Sequence, residues 1–338
     1  PKALVTGYLI GDDSVCLKAR AHQTIPRPRK TARPARRMAA VGRHYASTAK
    51  RTVQGHDVVL TCYSLLGRRC PGAPALYRQQ SVCSAEGVPF ASKIDLLCEQ
   101  IRGFEPASGT ATHVLADSWY TCKAVWRTAR ERGFAITGGL KSNRWLWRTD
   151  ATHPAGGYWQ RLNEYAASLT AADYSAVRWP SAEGGRTVYM HTLRTRVHKL
   201  YKCQVMVVRE SLDGEVSGVR YWASSDLEAD RERLVGHVAE RWTIEVVIGD
   251  SKELGLDAYQ VLSAEGIVRW WTLVLALYVF LEEHQAAQRA ATGERPTIGG
   301  VRRRMQRAHQ GHLLGWIYGQ FQQGDSPEQV QQRLATAA

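Results

Sequence analysis

His237-Val-Ala-Glu-Arg-Trp-Thr-Ile-Glu-Val-Val-Ile-Gly-Asp-Ser-Lys252 is the most informative stretch of this chain of 338 residues. Arg241, Glu245 and Lys252 are separated by four and then seven residues, which keeps them on one face of an α-helix because seven residues make nearly two turns. The stretch therefore predicts a helix that presents one carboxylate between two cations. A solvated i,i+4 ion pair is the simpler alternative. Apolar residues that could hold the helix against a core recur at helical spacing: Val235, Val238, Trp242 and Ile248.

Two aspartates upstream favour a functional interpretation over a simple ion pair. One apolar run ends in Gly11-Asp12-Asp13-Ser14, and a second, Thr112-His-Val-Leu-Ala116, leads into Asp117. Each run has the length of a buried strand, so we expect each strand to carry a carboxylate at its end. A single aspartate in such a place is often only a turn former or a helix cap. Two strand-end aspartates together with a helical glutamate are what divalent-metal chemistry on phosphodiesters requires.

This set of residues resembles the DDE transposases of bacterial insertion sequences, in the insertion-sequence-four-like branch. The glutamate helix of that branch carries the pattern Tyr-x2-Arg-x3-Glu-x6-Lys, and Arg241, Glu245 and Lys252 match its last three positions. Asp13-Ser14 is similar to the family's Asp-Asp-Thr-like motif, and Val114-Leu-Ala-Asp117 is similar to its Val-x-Ala-Asp-like motif.

The resemblance implies a role for each of these residues. Asp13, Asp117 and Glu245 would be catalytic and would bind two Mg²⁺ ions, for which Mn²⁺ can substitute; Asp12 is the competing choice for the first aspartate. The residues of the signature helix that would contact DNA are Arg241, Lys252 and Trp242. The implied activity is DNA cleavage and strand transfer at the ends of an insertion sequence. The implied partners are double-stranded DNA, as transposon ends and target, and a second copy of the chain in a synaptic complex.

The sequence also departs from the family pattern. Val238 stands where the signature has tyrosine, and Ser14 replaces threonine. Only twelve residues precede Asp13, whereas similar enzymes carry an N-terminal end-binding domain of roughly a hundred residues. We therefore expect an N-terminally truncated chain. Two alternative functions are a decayed or domesticated DNA-binding remnant and an RNase H-like nuclease without strand transfer.

The charge of the chain indicates a polyanionic partner. Its formal net charge is +14 and its isoelectric point is about 9.6. Residues 1–60 contribute +9, from twelve Lys and Arg less three Asp, and much of that lies in residues 26–37. The prolines of this segment disfavour helix, so we expect an extended basic loop that follows a DNA backbone. A disordered basic segment without a fixed role is the alternative.

The apolar patterns predict three strands, a helix, a strand, a helix and a strand. They fall at residues 3–10, 58–66, 73–78, 91–104, 112–116, 119–132 and 134–137. Several α/β folds share this order. The resemblance selects an RNase H-like mixed sheet flanked by helices, with a β-rich insertion between the second aspartate and the glutamate and a helical C-terminus.

The predicted domains follow from the position of the insertion. Residues 1–141 would form the first part of the catalytic core, 142–225 the insertion, 226–260 the glutamate helix and 261–338 the C-terminal helical region. Strand character appears at residues 188–193, 202–209 and 219–223, with an Asp213-Gly214 turn between the last two.

The insertion opens with Lys141-Ser-Asn-Arg144-Trp145-Leu-Trp147-Arg148. Cations interleaved with aromatic residues can bind phosphates and stack on frayed bases, so Lys141 and Arg144 are predicted DNA contacts. The alternative is that Trp145 and Trp147 are core residues of a strand.

Other classes of protein are disfavoured. Seven irregularly spaced cysteines, without a C-x-x-C pair, argue against a disulfide framework and a zinc ribbon and fit a reducing cytoplasm. The resemblance implies a bacterial cytoplasm, near the nucleoid. The longest apolar run, residues 270–281, is short for a bilayer and predicts a buried helix and no membrane partner. Nucleotide-binding and esterase motifs are absent from the sequence.

Overall fold

The structure is a computed structural model that describes residues 5–18, 38–46, 49–149, 153, 156–180, 184–213, 218–294 and 296–337. The basic segment 26–37 and Gly214 of the predicted turn lie outside these residues.

Strands occupy most of the first two thirds of the chain and helices the remainder. The strands are β1 (Val5–Leu17), β2 (Gly42–Ala46), β3 (Arg51–Leu65), β4 (Arg68–Pro71), β5 (Ala75–Tyr77), β6 (Thr110–Ala116), β7 (Ala135–Leu140), β8 (Trp145–Arg148), β9 (Tyr158–Arg161), β10 (Ser175–Trp179), β11 (Arg186–Arg196), β12 (Lys202–Arg209) and β13 (Arg220–Ser224). The helices are α1 (Gln80–Glu86), α2 (Lys93–Arg102), α3 (Lys123–Glu131), α4 (Leu162–Ala167), α5 (Arg231–Glu240), α6 (Thr243–Glu253), α7 (Ala264–Thr292), α8 (Ile298–Gln322) and α9 (Pro327–Ala337).

One mixed sheet organises the described residues. Its strand order is β10-β11-β12-β13-β7-β6-β1-β3-β2, and β4 and β5 also pair with β3. Strand β1 is antiparallel to β3 and parallel to β6, which is parallel to β7. Helices pack on both faces of this central part, so the fold is the predicted RNase H-like α/β fold.

The β-rich insertion extends the central sheet. Strand β13 pairs with β7 in antiparallel fashion, and β12, β11 and β10 follow outward. Strands β8 and β9 form a separate two-stranded sheet. The strands predicted at residues 188–193, 202–209 and 219–223 are confirmed as parts of β11, β12 and β13.

The two faces of the sheet have separate hydrophobic clusters. On the face covered by α2 and α3, Leu9, Leu97 and Trp126 belong to the larger cluster. On the other face, Val235 and Val238 of α5 belong to a cluster with residues of β10, β11 and β12. Because side chains alternate along a strand, each residue of β1 is committed to one of these two environments.

The structure corrects the expectation that the first strand ends at the aspartates. Strand β1 continues to Leu17, which pairs with Gly55 of β3. Asp12 and Asp13 are therefore in mid-strand, opposite Leu60 and Val59. The neighbouring strand satisfies their backbone groups, and cations on each face offset their charges, so polar residues do not stop the strand.

The glutamate helix is also interrupted where one continuous helix was predicted. Helix α5 ends at Glu240 and α6 begins at Thr243. The Trp242 N–H bonds the carbonyl of Ala239, three residues back instead of four, which tightens the turn. Val235, Val238 and Ile248 are buried as predicted, but Trp242 is exposed, so its predicted role in packing is wrong.

The C-terminal region is helical, as predicted. The chain divides into two compact units, Pro1–Leu275 and Ala276–Ala338, while the finer domain boundaries given above stay predictions. In the first unit, the indole N–H groups of Trp270 and Trp271 donate to the carbonyls of Gly255 and Leu256 and so fasten the start of α7 behind α6.

Helix α7 is longer and less buried than the apolar run 270–281 predicted. Leu273, Leu277 and Phe280 are exposed. The helix has apolar side chains around most of its circumference, and the surrounding residues cover only part of it. By length and composition α7 could cross a membrane, with a mean hydropathy of 1.5 and 33% of its apolar window buried. A single such helix is weak evidence, since core helices of other proteins have the same composition.

Candidate active site

Asp12 and Asp13 point to opposite faces of the sheet. Asp12 lies on the face of α5 and α6, where its carboxylate is 3.5 Å from the Arg241 guanidinium. Asp13 lies on the face of α2, where its carboxylate is 2.6 Å from the ammonium of Lys93. Only Asp12 therefore shares a face with Glu245, the glutamate of the signature.

The strand register places Asp117 beside Asp12. Gly11 pairs with Ala116 in the parallel ladder between β1 and β6, and the aspartates are the next residues of the two strands. One Asp117 oxygen accepts the backbone N–H groups of Trp119 at 2.8 Å and Tyr120 at 3.0 Å, which fixes the carboxylate in a turn.

Two glycines of β7 allow the Asp117 loop to lie close to the sheet. A Cβ atom at Gly138 would be 2.1 Å from the Thr121 hydroxyl, and one at Gly139 would be 3.0 Å from the Ser118 nitrogen. Any larger residue would therefore push the loop away, and Asp117 with it.

Arg241 connects the first strand to the glutamate helix. Its guanidinium contacts the carboxylate of Glu245 one turn further along and also reaches Asp12. Arg241 is 7% exposed, whereas the Glu245 side chain is 41% exposed. The i,i+4 ion pair therefore exists, but it belongs to a bridge between distant parts of the chain rather than to a solvated helix face.

The electrostatics of Asp12 indicate that this site lacks positive charge. Burial, and then the charge of Asp117, raise the pKa of Asp12 to about 7, against the opposing effect of Arg241. Two neighbouring carboxylates that a guanidinium only partly neutralises are an oxygen donor set that suits a hard divalent cation. Among the described residues, however, no group of three or more His, Cys, Asp or Glu side chains is gathered closely enough to enclose a metal. Glu245 is held by Arg241.

Asp13 belongs to a second charge cluster on the opposite face, here called the Lys93 cluster: Asp13, His44, Asp57, Lys93 and Tyr120. The ammonium of Lys93 is 2.5 Å from Asp57 and 2.6 Å from Asp13. The Tyr120 hydroxyl donates to Asp13 at 2.7 Å, and His44 is 3.4 Å from Asp57. Lys93 begins α2, which Ser92 and Asp95 cap, so the start of the helix fixes the lysine.

In the Lys93 cluster, one ammonium lies between two carboxylates, whose pKa values shift in opposite directions. Burial raises the pKa of Asp13, with a further contribution from Asp57, while Lys93 and the hydrogen bond from Tyr120 oppose the increase. Burial would also raise the pKa of Asp57, but His44 and Lys93 hold it below its ordinary value.

Three of the predicted DNA contacts, Lys252, Lys141 and Arg144, each have a different partner within the protein. Lys252 donates to the backbone carbonyl of Val15 at 3.3 Å. The Lys141 ammonium is 5.3 Å from the centre of the Trp119 ring, directly after Asp117. Arg144 donates to the Thr121 carbonyl at 2.6 Å. Lys141 and Arg144 thus both contact the loop that follows Asp117.

Several tryptophans of the described residues have exposed rings. Trp119, Trp145, Trp159 and Trp242 are all exposed, whereas Leu146, between the two tryptophans of β8, is fully buried. Leu146, and not its tryptophan neighbours, is therefore the core residue of β8.

Sequence patterns did not identify the members of the Lys93 cluster other than Asp13. His44, Asp57, Lys93 and Tyr120 come from four separate elements, and none is in a recognisable motif. Their only shared signal is polarity within or next to apolar segments, which is common in sequences. These four residues are recognised as one cluster only from the contacts that the structure shows between distant segments of the chain.

An RNase H-like sheet with two adjacent aspartates at its centre and a glutamate on a facing helix defines a class of enzymes that act on nucleic-acid phosphodiesters. The family model of the transposase DDE domain matches residues 91–280, more than half of the chain, including Asp117 and Glu245. The chain belongs to this family, whose members are transposases or related nucleases that act on DNA with divalent metal ions. No protein of curated function matches the sequence.

Proposed function

We propose that this protein cleaves DNA at the ends of an insertion sequence and transfers the strand, as in cut-and-paste transposition. The observation that carries the proposal is the Arg241 bridge, which joins Asp12 to Glu245 on the face of the sheet where Asp12 adjoins Asp117. The spacing of Arg241, Glu245 and Lys252 supports the insertion-sequence-four-like branch.

We further propose that Asp12, Asp117 and Glu245 hold the divalent ions, with Mg²⁺ the first candidate and Mn²⁺ a substitute. Asp12 takes the place of Asp13 because Asp13 faces away from Glu245 and its carboxylate already pairs with the ammonium of Lys93. When bound, the ions would activate a water or a 3′-hydroxyl and stabilise the leaving oxygen of the phosphodiester.

The side chains of the protein would position the DNA. Arg241 keeps Glu245 oriented and neutralises part of the charge of Asp12 before DNA arrives. Trp119 is two residues after Asp117, and the ammonium of Lys141 contacts its exposed ring, so the two residues could hold the backbone and a frayed base near the scissile bond. Lys252 donates one bond to the Val15 carbonyl, and its ammonium keeps further donors for a phosphate. A homodimer would bring two DNA ends together.

Adjacent substitutions on the two faces test this assignment. We expect Asp12→Asn, Asp117→Asn and Glu245→Gln to abolish Mg²⁺-dependent cleavage of DNA that carries the insertion-sequence ends, while DNA binding changes little. Asp13→Asn is the matched control, since it removes the same charge from the next residue and should retain cleavage wherever the variant is folded. Circular dichroism checks the folding of each variant.

Each other outcome has a definite meaning. Full cleavage by Asp117→Asn or Glu245→Gln would refute the enzyme assignment. Activity in Asp12→Asn together with loss in folded Asp13→Asn would return the first metal site to Asp13. Binding without cleavage by the unsubstituted protein would identify the DNA-binding remnant, and cleavage without joined products would identify a simple nuclease.

A further inference from the structure

A cavity of about 650 Å³ lies between α3 and the β11–β12 hairpin, and the proposed chemistry does not use it. We call it the hairpin cavity. Its lining is unusual in combining cations with aromatic rings: Trp126, Arg130, Arg196, Leu200, Tyr201, Lys202, Ser225 and Leu227. Asp12, Asp117 and Glu245 are not among these residues.

The three cations of the hairpin cavity have no acidic partner. Arg130, Arg196 and Lys202 are exposed, and none forms an ion pair among the residues that the structure describes. Nearby acidic residues are engaged elsewhere: Asp226 is 3.4 Å from Arg233, and Glu228 is 3.3 Å from Arg194. The cavity therefore carries uncompensated positive charge.

The hairpin holds two of these cations in an unfavourable position. Arg196 and Lys202 are directly opposite each other in the ladder between β11 and β12. Like charges at such positions destabilise a sheet. An anion between or beside them would remove that repulsion.

The remaining contacts keep the cavity in a fixed shape. The guanidinium of Arg130 is 4.4 Å from the centre of the Tyr201 ring. The loop of the hairpin is braced by a bond from the Leu200 N–H to the Val197 carbonyl and by one from the His198 N–H to the Trp145 carbonyl. A site that is rigid before binding loses less entropy when an anion arrives.

We propose that the hairpin cavity binds phosphate groups of a DNA backbone outside the candidate active site, through Arg130, Arg196 and Lys202. The proposal rests on DNA being the substrate. DNA is favoured over a small phosphate because the cations are exposed along the edge of the cavity, where successive phosphates of a long strand can reach them. These contacts would be independent of sequence and sensitive to salt.

The test is the salt dependence of duplex binding. The triple variant Arg130→Gln, Arg196→Gln, Lys202→Gln is compared with Arg51→Gln, Arg102→Gln, Arg269→Gln, which loses the same charge from exposed positions scattered over the same unit. We expect the slope of log affinity against log salt to fall by about 2.7 in the first variant, at roughly 0.9 per phosphate contact. We expect the control slope to stay within about one contact of the unsubstituted protein.

The outcomes separate this proposal from the proposed function. If the unsubstituted protein binds and cleaves DNA but the two triple variants have equal slopes, the proposed role of the hairpin cavity is overturned and the proposed function stands. Failure of the unsubstituted protein to bind DNA would refute the proposed function as well. Calorimetry with inorganic phosphate tests the other source of the ligand. Suppose that phosphate binding gives heat with the unsubstituted protein and none with the cavity variant, while the cavity variant keeps the unsubstituted slope of log DNA affinity against log salt. This result would overturn the DNA assignment in favour of a small phosphate.

Discussion

Asp12 and Asp13 are neighbours in the chain, but the pleat of β1 gives them different surroundings. Asp12 adjoins Asp117 and keeps a raised pKa, whereas Asp13 shares the ammonium of Lys93 with Asp57. The Asp12 carboxylate is thus available for a cation, and the Asp13 carboxylate is held within the Lys93 cluster. Lys93 is the residue on which that cluster depends, because the Asp57 side chain is fully buried.

We expect Lys93→Met to destabilise the protein by about 3 to 5 kcal/mol, because it removes the ammonium from the buried Asp57 carboxylate and leaves only His44 beside it. Urea denaturation measures the change. The same substitution in an Asp57→Asn background should destabilise the protein clearly less, since the buried charge of Asp57 is then absent. An equal loss in both backgrounds would show that Lys93 acts only through its packing.

At the scale of elements, α5 carries a buried histidine one turn before Arg241. The ring of His237 packs against that of His113 on β6, with centroids 3.9 Å apart, and both residues are buried. Burial, reinforced by Arg233, lowers the pKa of His237 from 6.5 to about 4. The helix that leads into the signature is therefore docked through a histidine that must stay neutral.

This arrangement predicts a loss of stability in acid. Between pH 6.5 and about 4, unfolded His237 binds a proton that folded His237 does not, so its contribution is present above that range and disappears as the pH falls. The loss should approach about 3 kcal/mol at the acidic end. We expect His237→Phe to reduce the difference in urea midpoint between pH 7.5 and about pH 4.5. An unchanged difference would contradict the role of His237.

Across the whole molecule, the charges are distributed unequally between surfaces. The Asp12 side has an excess of carboxylate, and the hairpin cavity has an excess of cations. The first imbalance suits a divalent metal ion, and the second suits a phosphate backbone.

Metal binding should therefore stabilise the protein without any DNA. At a Mg²⁺ concentration of about 100 times the dissociation constant, the expected gain is about 2.7 kcal/mol, seen as a higher thermal midpoint. Asp13→Asn should keep this shift, and a variant with both Asp12→Asn and Asp117→Asn should lose it. Retention of the shift in the double variant would place the metal elsewhere. Mn²⁺ serves as the second ion in the same assay.

Much of the fold was predictable from sequence because local pattern and burial agree. The strands within β3, β6, β11, β12 and β13 and the helices α2 and α3 follow directly from apolar periodicity. Strands β2, β4, β9 and β10 were missed, and β8 was expected only in the alternative for Trp145 and Trp147, because short strands with mixed polarity give little local signal. The length of β1 was missed for a different reason, since the pairing with β3 extends it through two aspartates.

The sequence by itself determined the family signature, the order of strands and helices, and the i,i+4 contact between Arg241 and Glu245, because each depends on spacing along the chain. Only the tertiary structure decided which aspartate faces Glu245, that the other shares the ammonium of Lys93 with Asp57, and where three cations meet around a cavity. These outcomes depend on strand register and on which helix covers which face of the sheet. Both are set by contacts between segments tens or hundreds of residues apart, such as the one between Asp12 and Arg241.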